Sequence, residues 1–194
     1  MKRYRSSKSQ QIITAIVIVV SMVIFQGRDQ LYFVNGSGGK DWKIGPPQAH
    51  LLNTYQIRSL SELQAQALNL VNRDRQLNNL APLVADPLIT QTAQGHAEDM
   101  AKRDYYGHDT PEGKSPTDRY QALGGQGGVG ENIVVLPRSP YFSLNYGLVE
   151  RFQKSWMYSD GHRQNLLTPD YTKFGYGIAT NPRTAKVYAV QNFQ

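Results

Sequence analysis

From Ile12 to Phe25 the chain is apolar and uncharged, broken only by Thr14 and Ser21. Beyond residue 58 the apolar positions become periodic. Leu63, Ala67, Leu70 and Val71 follow Ser59-Leu60-Ser61-Glu62 at helical intervals. Ser59 and Glu62 have capping-box spacing, which predicts a helix that stops near Asn78-Asn79. Asp86-Pro87 reads as the cap and first residue of a second helix, with the stripe Ile89, Ala93, Ala97 and Met100 and an end around Asp104. A third helix, after Pro140, carries Leu148, Phe152 and Trp156 four apart on one face, and Asp118–Leu123 looks helical as well.

The period then changes. Phe174–Ala179 and Lys186–Phe193 are rich in Val, Ile, Tyr and Phe and flank Asn181-Pro182-Arg183-Thr184, which predicts an antiparallel hairpin; Glu131–Leu136 is a further short strand. Helices and strands come in blocks without strict alternation. That pattern points to an α+β fold with helices packed on a mainly antiparallel sheet.

Charge divides the chain. Residues 1–58 hold eight Lys/Arg against two Asp, and residues 59–194 hold thirteen Lys/Arg against thirteen Asp/Glu. The overall formal charge of +6 therefore belongs to the N-terminal part, and the neutral domain gives no footprint for nucleic acid. Lys2, Arg3, Arg5 and Lys8 ahead of the apolar run form an export signal with the positive flank in the cytoplasm. At ~1.5 Å per residue the run covers about 21 Å, short of a hydrocarbon layer of roughly 30 Å. Length favours a cleaved signal peptide. Phe25-Gln26-Gly27 offers no small-x-small cleavage site and favours an uncleaved signal-anchor, with membrane contact through residues 12–25. Either way the domain is exported. The expected organisation is residues 1–27 as signal-anchor or signal peptide, 28–58 as a flexible linker (Gly36-Ser37-Gly38-Gly39 and Gly45-Pro46-Pro47), and 59–194 as the domain.

The absence of cysteine excludes disulfides, thiolate metal sites and cysteine nucleophiles. Gly125-Gln126-Gly127-Gly128-Val129-Gly130 matches the dinucleotide fingerprint literally, but a helical stretch precedes it and a strand follows, the reverse of what a pyrophosphate site needs. No nucleotide is expected. Four residues are candidates for chemistry. His108 follows the second helix among turn formers, Glu131 starts an apolar strand, and His162 follows the third helix in Ser159-Asp160-Gly161-His162-Arg163. His96 falls on the second helix's apolar stripe and reads as a packing residue. Two imidazoles and a carboxylate suit a divalent ion such as zinc, and they also suit general acid–base work near neutral pH. A Ser159–His162 nucleophile pair has no orienting carboxylate or oxyanion-hole motif beside it.

Five blocks in order carry a resemblance: His96-Ala97-Glu98-Asp99-Met100-Ala101; Tyr105 to Pro116; Gly130-Glu131-Asn132-Ile133; Trp156 to Leu167; and Tyr188-Ala189-Val190-Gln191-Asn192-Phe193. Together they resemble the bacterial branch of the CAP superfamily, the SCP-like extracellular domains. The resemblance implies an α-β-α sandwich, an exported location, and a cleft where His108, Glu131 and His162 match three of four family cleft residues and are candidate metal ligands. The fourth position, a glutamate in many eukaryotic members, is Ser159 here, which removes one ligand. The expected function is a binding or interaction module at the cell envelope. The alternatives are a hydrolase with Glu131 as general base and His108 and His162 holding a metal or polarising the substrate, and an apolar-ligand carrier.

Overall fold

The structure, a computed structural model, describes residues 32–35, 41–48, 55–137 and 143–194. The apolar run 12–25 lies outside them; among the described residues no helix is long and apolar enough to cross a membrane.

Helix α1 (Leu60–Leu77) starts on the Ser59/Glu62 capping box. A two-residue strand β3 (Val84–Ala85) leads to α2 (Pro87–Arg103), where the Asp86 carboxylate accepts from the backbone N–H groups of Leu88 and Ile89. Helix α3 (Pro116–Ala122) has a second capping box, Ser115 with Asp118. Strand β4 (Gly130–Leu136), helices α4 (Tyr146–Met157) and α5 (Asp160–Leu166), and strands β5 (Lys173–Thr180) and β6 (Val187–Phe193) complete the domain. The four-stranded sheet has the order β3-β5-β6-β4, parallel between β3 and β5 and antiparallel elsewhere. It is the α+β fold that the blocks of helices and strands predict, in the α-β-α sandwich that the resemblance implies.

Side-chain alternation assigns each face of the sheet to a different core. Phe174, Tyr176, Ile178, Val187, Ala189 and Phe193 pack with α1 and α4, including Trp156. Ile133, Tyr188 and Val190 pack with Ala93, Ala97 and Met100 of α2. On that second face β5 offers glycine. A Cβ on Gly175 or Gly177 would overlap the α2 backbone at Ile89–Thr90 or at Ala93, so the helix rests directly on the strand.

Two expectations need correction. The segment read as a flexible linker contains an antiparallel hairpin, β1 (Tyr32–Asn35) with β2 (Asp41–Ile44). Trp42 and Ile44 are buried in the α1/α4 core. Lys43 N donates to the Asn78 side chain at 2.8 Å and Lys43 O accepts back from it at 2.7 Å. The glycine run looked like a linker because a strand this short shows only two inward positions. The second correction is α5, which places His162 inside a further helix of about two turns, where the sequence suggests only the segment after the third helix. Seven residues are too few for a period to emerge from the sequence.

Candidate functional site

Strand β4 lies at the edge of the sheet, and Glu131 is its second residue. Its side chain points to the α2 face and is 1% exposed. A buried carboxylate needs partners, because desolvation disfavours its charge. His108 Nδ1 lies 3.0 Å from Oε1, and Arg119 Nη2 donates to Oε2 at 2.6 Å. His96 Nε2 is 3.9 Å from Oε1.

Each partner is held by local structure. Helix α2 ends at Asp104, a non-glycine residue in the left-handed region (φ 56°). Its carboxylate accepts from Tyr188 Oη (2.7 Å) and Lys186 Nζ (2.9 Å), which pins the chain where it leaves the helix. His96 and the Gly107 carbonyl are 2.9 Å apart, so the buried helix histidine anchors the loop that delivers His108. Arg119 also donates to the His108 carbonyl at 2.7 Å. The His108 side chain remains 52% exposed. With Nδ1 turned to Glu131, its Nε2 is the atom offered outward.

His162 approaches from α5, on the other side of the edge strand. Its Nδ1 is 2.8 Å from Ser159 Oγ, and its carbonyl accepts from Asn132 Nδ2 at 3.0 Å. Ser159, the helix N-cap, makes no side-chain capping bond; its hydroxyl serves the imidazole instead. The electrostatics separate the three histidines. The hydrogen bond to Glu131 raises the His108 pKa above the ordinary histidine value, against a smaller effect of burial. Burial lowers His162, helped by the neighbouring charge of His108. Burial also lowers His96, with Glu131 opposing.

The structure therefore brings His108 and Glu131 into contact, adds His96 and Arg119 around the same carboxylate, and sets His162 nearby on its own helix. Among the described residues no group of three or more His, Asp or Glu side chains is placed to hold a metal ion. Glu131, expected as a ligand, has one oxygen against His108 and the other against Arg119. What remains is two imidazole Nε2 atoms, fewer than the three protein ligands of a catalytic zinc site. The donor set does not fit the expected three-ligand centre. Sequence reasoning missed Arg119; its only signal was the Ser115/Asp118 capping box, which starts a short helix that carries Arg119 in its last turn, beside the His108 loop. It also missed that His96 is a neighbour of Glu131 as well as a packing residue. The glycine run from Gly125 follows α3 and leads into β4 at Gly130, so it opens no helix for a pyrophosphate.

The comparisons agree with this architecture. The family model of the CAP domain, the cysteine-rich secretory protein family, matches residues 68–193. The uncharacterised protein YkwD of Bacillus subtilis (strain 168) is 32% identical over 120 residues, covering 61% of this chain and 43% of that protein. The uncharacterised membrane protein YlbC of the same organism is 33% identical over 143 residues, covering 71% of this chain and 35% of its own length. The matched region thus spans less than half the length of these curated relatives. Among solved structures, an extracellular protein containing an SCP domain from Bacillus anthracis str. Ames superposes with a TM-score of 0.55 at 31% identity, over 69% of this chain and 40% of that one. The sheet with a helical layer on each face, the His108–Glu131–Arg119 cluster at its edge strand and the match over residues 68–193 lead to one conclusion: this chain belongs to the CAP family, the cysteine-rich secretory proteins, though it contains no cysteine itself.

Proposed function

We propose that this CAP domain is exported, held at the outer face of the membrane by residues 12–25, and works as a ligand-binding module through the cleft at β4. The observation that carries this reading is the double engagement of Glu131. A general base needs a free oxygen within hydrogen-bond reach of the proton it takes. Here one oxygen is held by His108 and the other by the Arg119 guanidinium, both from within the protein. The carboxylate is thereby an orienting group: it fixes the tautomer and tilt of His108, whose Nε2 then meets the ligand. Tyr106 is 51% exposed beside it, its hydroxyl donating to the Ile133 carbonyl, and adds an aromatic rim. An imidazole whose protonated form is favoured by its hydrogen bond to Glu131, beside an aromatic ring, suits a polar or anionic group on an envelope component.

The test uses the full-length chain in detergent. Wild type and His108→Ala are sedimented separately with cell-wall sacculi and with membrane vesicles from the producing cells, and the supernatants are assayed for released fragments. The expected result is binding to one fraction, weakened about tenfold or more in the variant, as a lost charge-assisted hydrogen bond would do, with no fragments released. Binding indifferent to His108→Ala would remove the cleft from the interaction. Fragment release that disappears in Glu131→Gln would make the protein a hydrolase instead.

A further inference from the structure

Beneath the cleft, on the α1/α4 face of the sheet, runs a chain of buried amides that the cleft does not itself use. It starts at Asp74 on α1, which is 1% exposed. Asp74 Oδ1 accepts from the Gly45 N–H at 2.9 Å and from Arg73 Nε at 2.8 Å. Oδ2 accepts from Gln153 Nε2 at 2.8 Å. Gln153 Oε1 accepts from Gln191 Nε2 (3.0 Å), and Gln191 Oε1 accepts from Asn132 Nδ2 (3.3 Å). Asn132 Oδ1 accepts from Asn165 Nδ2 (2.9 Å). The far end touches the site: Asn132 Nδ2 donates to the His162 carbonyl at 3.0 Å, and Asn165 Nδ2 to the Glu131 carbonyl at 3.0 Å.

A side-chain amide has a donor end and an acceptor end and can be turned either way, whereas an ionised carboxylate only accepts. Asp74 is ion-paired with Arg73. Gln153 must therefore present its NH2 group to Asp74, which leaves its oxygen for Gln191, and the same constraint passes to Asn132 and Asn165. Reversed, the chain would set the Asn132 oxygen against the His162 carbonyl, two acceptors face to face. The neighbouring residue secures the same helix at its other end. Arg75 donates to the carbonyls of Leu166 at 3.0 Å and Thr168 at 2.8 Å, where α5 finishes.

We propose that Asp74 is a remote positioning residue for the cleft: as the acceptor-only end of the Gln153–Gln191–Asn132–Asn165 chain, it sets, together with the His162 and Glu131 carbonyls at the far end, the amide polarity that holds the His162 helix in one place. Its functional meaning rests on the cleft being the ligand-binding surface, but the positioning itself is measurable without any ligand.

The experiment follows the ring signals of the four histidines in the full-length chain, labelled with [13Cε1]histidine, in detergent. Wild type should give one His162 signal. In Asp74→Asn the terminal group can donate or accept, the Gln153 and Gln191 amides are no longer constrained from that end, and His162 should split or shift, with a smaller change at His108 because the Glu131 side chain is on the opposite face. An unshifted single His162 signal in this variant would overturn the proposal. Leu70→Ala, a fully buried position one turn earlier on α1, weakens the helix without touching the chain. The same His162 change there would reduce the effect to general loosening and overturn the proposal equally. Should Asp74→Asn fail to fold, Gln153→Met breaks the chain at its second link and carries the same expectation and the same adverse outcome. A shifted His162 signal with envelope binding unchanged would count against the binding reading alone.

Discussion

His108 Nδ1 and Glu131 Oε1 stand 3.0 Å apart, an exposed imidazole against a buried carboxylate from a residue 23 positions later in the chain. The pairing favours the protonated ring, and His108 is raised above the ordinary value of about 6.5 while His96 and His162 are lowered. As pH rises, His108 is expected to lose its proton after the other two. The stability that His108 contributes is complete below about pH 6.5 and fades as pH rises through its folded value. His96 and His162 behave oppositely, stabilising above about pH 6.5 and losing that contribution as pH falls through their lower folded values. Titration of histidine ring signals checks the order; a His108 midpoint at or below that of His162 would contradict the pairing.

Zinc titration by calorimetry is expected to show no tight site at pH 7.5. Glu131 is occupied by Arg119 and His108, and two imidazoles fall short of a three-ligand set. Stoichiometric tight binding that disappears in His108→Ala would show that Glu131 releases a partner to coordinate.

A chain that begins at Ser59 should be less stable than one that begins at Arg28. The hairpin contributes Trp42 and Ile44 to the core, and full burial of two such side chains is worth about 3–6 kcal/mol as an upper figure. Denaturant melts of the two chains measure the difference. Equal midpoints would mean that the hairpin rides on the surface and that 28–58 is a linker after all.

Trp156 is 1% exposed, packs its ring 6.0 Å from Phe152 and 6.5 Å from Tyr176, and donates Nε1 to the Ile133 carbonyl at 3.2 Å. Truncation to alanine should destabilise by about 3–5 kcal/mol, the usual range for a large buried aromatic. A loss under about 1 kcal/mol would place the ring in solvent.

What the sequence displayed and what it concealed follow one physical line. Capping boxes and the Asp86-Pro87 start are local chemistry, so α1 and α2 were legible to within a residue or two at either end. His108 and Glu131 stood out because each interrupts its surroundings, one among turn formers and one at the head of an apolar strand. Glu131 and Asn132 mark the limit. They are adjacent in β4, yet one faces His96 and His108 while the other faces Gln191 and His162. Alternation along a strand buried on both sides says that neighbours diverge, not which one meets the cleft. Arg119 was invisible for the same kind of reason, since its partner comes from a different element and no spacing relates the two. The long apolar run at residues 12–25, the most conspicuous pattern in the chain, lies outside the described residues.

Gly175 and Gly177 leave no side chain between β5 and α2. The cleft therefore has two walls of unlike construction. The wall formed by α2 and the His108 loop is seated main chain upon main chain, and its offset from the sheet is a constant of backbone geometry that substitutions in the surrounding core leave unaltered. The wall formed by α5 is seated through the buried Leu166 and the polar side chains of Asn132 and Asn165, whose lengths and hydrogen-bond directions are open to substitution. In any redesign of this site the first wall is the ruler and the second is the adjustable jaw.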